Sequence, residues 1–333
     1  MARDVQITEY MKKALLILLI MTLVLTGCAG TVPVSFESNM ANSNYNFMVA
    51  ESGDAAVADA FASGLAVMDG DVSPEAAGEI GDVTAIGLFD VRGGNVICSK
   101  SAFTKLYPAS LTKVMTALVA LKYSSPDTIL TATSSVNITE AGAQLCGLKE
   151  GDTMTLDQAL HIMLIYSAND AAVLIAEGVG GSVEGFIDMM NREAKAIGAT
   201  NTNFINSNGL SDENHYTTLY DMYLIFNAAI QYNEFNEIIS MPEYSTIYHS
   251  ADGSERSLKV STTNLFLNGR YNAPGSVTVI GGKTGTTNAA GHCLVFLSRD
   301  ISGNPYISIV MKALDQQTLY AVMSGVLGLI PQS

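Results

Sequence analysis

The feature that most constrains the fold is a change of hydrophobic period along the chain, from strand-like to helical and back. Residues 83–91 and 96–98 are apolar runs flanking Arg92-Gly93-Gly94-Asn95, which predicts a β-hairpin. From Pro108 the period becomes helical, with Leu111, Val114, Met115, Leu118 and Val119 spaced i, i+3, i+4, i+7, i+8. Thr155-x-x-Gln158 is a capping box for a second helix over 156–166, and the apolar pattern resumes over 170–177. A further helix follows Ser182, burying Phe186, Met189, Met190, Ala194 and Ile197 and stopping at Gly198. The last third predicts strands over 277–280, 293–297 and 306–311, then a closing helix over 318–330. Two strands, a helical middle, three strands and a helix predict an α/β fold of the α+β type. Its expected form is a mainly antiparallel five-stranded sheet flanked by helices, plus a helical subdomain.

The first 81 residues do not share this patterning. Lys12 and Lys13 precede a 12-residue apolar run, 14–25, too short to span a bilayer comfortably and matching a secretory signal. The run ends in Leu25-Thr-Gly-Cys28, which resembles a bacterial lipobox and implies cleavage before Cys28 and lipidation of its thiol. An ordinary signal peptide with a chance cysteine is the alternative. Met11, ahead of the two lysines, also has the setting of a start residue. Residues 29–82 are rich in Ala, Gly, Ser, Asn and Asp; they read as a tether with a short Ala-rich helix near 55–68. Some 50 flexible residues would reach roughly 40 Å. The expected organisation is a lipoprotein signal peptide over 1–27, a lipidated cysteine and tether over 28–81, and a catalytic domain over 82–333.

Charge and cysteine usage exclude several function classes. The chain carries a net charge of −15, and residues 1–27 contribute +1, so the remainder is more acidic still. No basic stripe is available for a nucleic-acid partner. Besides Cys28 there are Cys98, Cys146 and Cys293, an odd number without metal-like spacing. Cys98 and Cys293 lie in apolar runs as core residues, and a Cys98–Cys146 disulfide is left open. His161, His215, His249 and His292 form no ligand pattern, so neither a metal nor another cofactor is expected.

Three short clusters carry chemistry: Ser110-Leu-Thr-Lys113, Ser167-Ala-Asn169 and Lys283-Thr-Gly285. Ser110 stands at a helix N-terminus with Lys113 one turn on, so the two side chains share a face. Serine needs a base beside it, and lysine serves only when neutral, which burial beside other cations favours. Without that burial the pair is an ordinary helix start. Ser167 and Asn169 sit between two apolar helices, where a hydroxyl can pass a proton and an amide can hold a peptide group; capping the following helix is the alternative. Lys283, Thr284 and Gly285 follow a strand, and a cation with hydroxyls there suits a carboxylate; a Gly-rich turn with a solvated lysine is the alternative. Ser135-Val-Asn137 and Ser302-Gly-Asn304 repeat the second pattern in a Ser/Thr-rich stretch and a turn, so context rather than the tripeptide carries the signal.

Over residues 82–333 the chain resembles the low-molecular-weight penicillin-binding proteins, D-alanyl-D-alanine carboxypeptidases of serine peptidase family S11. The likeness rests on Pro108-Ala-Ser-Leu-Thr-Lys-Val-Met-Thr-Ala117, Ser167-Ala-Asn-Asp-Ala-Ala172, Phe204-Ile-Asn-Ser-Asn-Gly-Leu210 and Gly282-Lys-Thr-Gly-Thr-Thr287, with Ala290-Gly291 following. The resemblance implies a β-lactamase/transpeptidase-like fold and an acyl-enzyme on Ser110, with Lys113 as base and Ser167 as relay to the departing D-Ala. Asn169, Lys283, Thr284, Gly285 and Thr286 would bind substrate, and the N–H groups of Ser110 and Thr286 would form an oxyanion hole. The implied partners are a peptidoglycan stem peptide ending in D-Ala-D-Ala, β-lactams as covalent inhibitors, and the outer face of the cytoplasmic membrane through the lipid on Cys28. Many relatives carry a second β-rich domain and a C-terminal anchor helix. This sequence ends at Ser333, so the lipid is expected to replace that anchor. Some relatives place an arginine near Thr263; the nearest here is Arg270, which is left out of the site.

Two other activities fit parts of the pattern. A serine β-lactamase of class A uses an added glutamate for deacylation, but 201–208 holds no Glu, and Glu213 is followed by Asn-His-Tyr. A catalytically silent wall-binding lipoprotein would not need all three clusters intact.

Overall fold

The computed structural model describes residues 62, 64–73 and 83–331. The predicted hairpin forms as β1 (Val83–Asp90) and β2 (Asn95–Lys100). A 3-10 turn, Ala109–Leu111, runs into α1 (Thr112–Tyr123), so Pro108 opens a tight turn before the α-helix proper. Next come β3 (Ile129–Thr131), β4 (Thr153–Thr155) and α2 (Leu156–His161), the last started by Thr155 and Gln158 in the expected reciprocal capping box. The helices α3 (Asn169–Gly180), α4 (Val183–Ala196), α5 (Leu219–Ala229) and α6 (Asn233–Ser240) follow. The chain returns to strands in β5 (Glu243–His249), β6 (Glu255–Ser261), β7 (Thr278–Thr287), β8 (Gly291–Arg299) and β9 (Pro305–Ala313), and closes with α7 (Gln316–Gly328).

The main sheet is antiparallel throughout, in the order β2-β1-β9-β8-β7. Its faces are sorted by the two-residue period of a strand. In β8, Cys293, Val295 and Leu297 point to a core shared with α1, α3 and α5, while Leu294 and Phe296 point to a second core. That second core is closed by Leu319, Tyr320, Met323 and Leu327 of α7. Both faces are covered, which explains the near-continuous apolar runs of β8 and β9. The first and last segments meet because β1 lies beside β9, with Ile86 opposite Val310.

Three features depart from the expectations. A second sheet, β3-β4-β5-β6, was not foreseen; its first two strands have only three residues each, too short to show a period. The described residues 64–68, expected to end an Ala-rich helix, form a turn and irregular backbone. Residues 64–73, assigned by composition to the tether, are bonded to the folded body. The Ala66 N–H donates to the Tyr223 hydroxyl at 2.8 Å, Ser99 N–H donates to Val72 O at 2.7 Å, and the Asp71 carboxylate accepts from Ser101 and Ala102 N–H. Hydrogen bonds and the packing of Ala66, Leu65 and Met68 on the core hold this segment, without leaving a hydrophobic period in the sequence.

Cys98, Cys146 and Cys293 are free thiols. Cys98 and Cys293 face opposite sides of the main sheet, and burial pushes both thiols up to about 11, as suits inert core residues. Among the described residues no helix is long and apolar enough to cross a membrane, and no His, Cys, Asp and Glu side chains cluster to hold a metal ion. Cys28 and the signal sequence lie outside the described residues.

Candidate active site

The nucleophile turn is shaped by backbone geometry before any side chain acts. Ala109 takes φ +47°, a left-handed conformation that is uncommon for a residue with a Cβ. In the tight 3-10 turn that follows, positions i and i+3 eclipse. Ser110 and Lys113 therefore face each other, with Nζ 2.9 Å from Oγ. Two glycines permit the surrounding approach. A Cβ on Gly285 of β7 would sit 3.0 Å from Ser110 N, and one on Gly209 would sit 1.9 Å from Ala109 O. The strand and the 205–210 segment thus press against the turn backbone to backbone, which only glycine allows.

Lys113 is fully buried, and its Nζ makes two further bonds, to Asn169 Oδ1 and to Asn208 O, both at 2.6 Å. Burial holds its ammonium well below the ordinary lysine range, and the neighbouring Lys283 charge adds to this; Asp170 opposes it. A neutral lysine has two N–H donors and one lone pair. The two carbonyl oxygens of Asn169 and Asn208 can only accept, so in the neutral form they would take both donors and leave the lone pair for Ser110 Oγ–H. The site presents a serine and a buried lysine in hydrogen-bonding position, and among the described residues no histidine hydrogen-bonds to either.

Ser167 is delivered by an irregular helix end. The predicted single helix over 156–166 is α-helical only to His161 and continues as a π turn, Ile162–Tyr166. Ser167 then takes φ +70° and Ala168 is extended before α3 begins at Asn169. Wide turns of this kind recur at functional sites because they re-aim the next side chain. Neither Ser167 nor Asn169 caps α3; their side chains go to Lys283 and Lys113 instead.

Lys283 is 1 % exposed, on a strand rather than a solvated turn. Its Nζ donates to Ser167 Oγ at 2.9 Å and to Thr284 O at 2.8 Å. Burial lowers its pKa from 10.5 to about 7. Thr284 Oγ1 shares a hydrogen bond with Thr263 Oγ1, and Thr286 Oγ1 lies 3.2 Å from His292 Nδ1.

These residues open into a cavity of about 740 Å³, within the usual range for a small-molecule or peptide site. Ser110, Ser167, Asn169, Thr284, Gly285 and Thr286 line it directly, whereas Lys113 and Lys283 stand behind the wall. Arg270 does not line it. The decoy patterns lie elsewhere, Ser135-Val-Asn137 at a 3-10 turn and Ser302-Gly-Asn304 at the β8–β9 turn. The motifs did not mark Asn208, Thr263, Gln144 or His292 as site residues. Asn208 lies within the Phe204–Leu210 stretch that carries the family likeness, where no role was assigned to it. Asp170 organises one wall: its carboxylate accepts from the N–H groups of Cys146, Gly147 and Leu148, and Asn169 N–H donates to Gln144 O.

Similarity to known proteins agrees with this geometry. The Bacillus subtilis D-alanyl-D-alanine carboxypeptidase DacF is 32% identical over 240 residues, covering 70% of this chain and 57% of the relative. DacB2 of Mycobacterium tuberculosis is 34% identical over 226 residues, covering 67% and 73%. The crystal structure of the Streptomyces K15 DD-transpeptidase superposes with a TM-score of 0.69 at 26% identity, covering 74% of this chain and 96% of that one. The chain spans little more than half the length of several curated relatives it matches. The family model for peptidase S11, D-alanyl-D-alanine carboxypeptidase, matches residues 72–315, which include all three clusters, and the chain therefore belongs to that family.

Proposed function

We propose that the protein is a serine-type D-Ala-D-Ala carboxypeptidase that trims the terminal D-Ala from peptidoglycan stem pentapeptides. The observation that carries this reading is the placement of the buried Lys113 Nζ, 2.9 Å from Ser110 Oγ and 2.6 Å from the carbonyl oxygens of Asn169 and Asn208, which in the neutral amine leaves the lone pair for Ser110. Lys113 Nζ takes the proton as Ser110 Oγ attacks the carbonyl of the penultimate D-Ala. The N–H groups of Ser110 and Thr286 hold the resulting oxyanion. Collapse breaks the peptide bond, and the departing amine receives its proton through Ser167, which Lys283 orients at 2.9 Å. Thr284 and Thr286 bind the terminal carboxylate on the cavity wall. Water then attacks the ester, with Lys113 again taking the proton, and releases the shortened peptide and free Ser110.

β-Lactams would acylate the same serine and leave slowly. Among the described residues no carboxylate hydrogen-bonds Ser110, Lys113 or Lys283, which disfavours glutamate-assisted deacylation. A lipid on Cys28 would keep the enzyme on the outer face of the cytoplasmic membrane, beside its substrate.

The test is mass spectrometry of a Lys-D-Ala-D-Ala peptide digest with wild type and Ser110→Ala. Wild type is expected to release D-Ala and to carry a penicillin adduct on Ser110, and the variant to do neither. No D-Ala release together with no adduct on wild type would refute the reading, and rapid nitrocefin turnover would favour a β-lactamase.

A further inference from the structure

His215 lies outside the three clusters, yet its bonds reach the turn that carries Ser110 and the segment that bonds Lys113. The ring is 1 % exposed, ahead of α5, with Phe204 edge-on at 5.6 Å. Its Nδ1 accepts the Ile205 backbone N–H at 3.0 Å. An amide N–H can only donate, so Nδ1 holds a lone pair and the ring proton is on Nε2. Nε2 is 2.8 Å from Thr112 Oγ1, and that hydroxyl donates to Ala109 O, also at 2.8 Å. The chain of donation therefore has one direction, from Nε2–H to Thr112 and from Thr112 to the carbonyl of the left-handed residue before Ser110.

The other side of the ring anchors the segment that orients the base. Ile205 begins the run whose Ser207 O accepts from Thr116 Oγ1 and whose Asn208 O accepts from Lys113. We propose that His215 is a positioning residue for acylation: as a neutral Nε2–H imidazole it locks the Ala109–Ser110 turn and the 205–208 segment into one hydrogen-bonded unit, fixing nucleophile and base relative to each other.

Burial supports the neutral state by pushing the imidazole down to about 4, against the opposing charge of Asp212 in its own turn. Protonation would place a second N–H against the Ile205 N–H and break the unit. The role in acylation rests on the proposed function, whereas the tautomer and its proton affinity do not.

Nitrogen-15 NMR of histidine-labelled protein, with the His215 signal assigned through His215→Gln, reads the tautomer directly. The expected result is a deprotonated Nδ1 and a protonated Nε2, unchanged from pH 8 to pH 5. An Nδ1–H tautomer, or titration with a midpoint near 6.5, overturns the inference. The second arm separates penicillin binding from acylation in wild type, His215→Phe, His215→Gln, Thr112→Val and the Phe/Val double variant. His215→Phe and Thr112→Val are each expected to slow the acylation step at least tenfold while the initial binding constant changes less than threefold. The double variant should be no slower than the slower single one, and His215→Gln, which keeps a donor and an acceptor, should recover part of the loss. Effects that multiply in the double variant, or that fall on binding alone, overturn it.

Discussion

Replacing Lys283 with Met should make the protein more stable at pH 6 and less stable at pH 10. The wild-type pKa falls from 10.5 to about 7 because the ammonium is buried. At 1.36 kcal/mol per unit, this corresponds to about 5 kcal/mol of destabilisation when the group is charged. Between pH 7 and 10.5 the unfolded chain binds more protons at this site than the folded one, so stability rises with pH there. Below pH 7 both states are charged and the full cost is present. Methionine removes the charge at similar length but strands the Ser167 Oγ and Thr284 O partners, at a cost of about 1–3 kcal/mol. The variant should thus gain about 2–4 kcal/mol at pH 6, a rise in Tm on the order of 5–10 °C for a domain of this size. Lys113 acts in the same direction, because the Lys283 charge that depresses it is gone. At pH 10 only about 1 kcal/mol of wild-type penalty remains, and the variant becomes equal or less stable by up to about 2 kcal/mol. Urea unfolding followed by far-UV circular dichroism measures both, since the chain has no Trp. A difference between variant and wild type that is the same within 1 kcal/mol at the two pH values refutes the buried-charge argument. The stabilised variant should still fail to acylate, which places the strain of this site in its function.

Two further substitutions test how the walls are held. Gly209→Ala places a Cβ 1.9 Å from Ala109 O at φ +88°, so it should cost at least about 2 kcal/mol and slow acylation, read by thermal unfolding and penicillin labelling; an unchanged Tm contradicts the close approach. Asp170→Asn turns an acceptor-only carboxylate into an amide facing the Cys146, Gly147 and Leu148 N–H groups, a loss of about 1.5–3 kcal/mol. Hydrogen exchange at these amides should quicken and KM should rise more than kcat falls, whereas unchanged protection rules out the clamp.

Much of this protein was legible where its physics is local. The Thr155–Gln158 capping box, the α1 stripe and the apolar runs of β8 and β9 are each patterns within a few residues. The Ser110–Lys113 pair belongs here too, since one helical turn brings i and i+3 together whatever the rest of the chain does. By itself the sequence determined the order of the main-sheet strands and of most helices along the chain, the spacing that brings Ser110 and Lys113 together, and an acidic composition that speaks against nucleic-acid binding.

The remainder needed contacts between distant residues. For Asn169 the sequence left open a capping role; its partner Lys113 is 56 positions away, and Lys283 meets Ser167 across 116. The three-residue strands β3 and β4 are held by backbone bonds, and the segment 64–73 by scattered bonds such as those of the Asp71 carboxylate, neither of which leaves a periodic pattern. Asn208 acts through a carbonyl oxygen that every residue type possesses, and His215 through a tautomer that Ile205 selects. The depressed proton affinities of Lys113 and Lys283 follow from burial, which exists only once the sheet, α1 and α3 close around them. Tertiary structure alone therefore decided that, among the described residues, two buried lysines stand in one wall without a salt-bridged acid, and this burial is what the proposed nucleophile-and-base pairing of Ser110 and Lys113 requires.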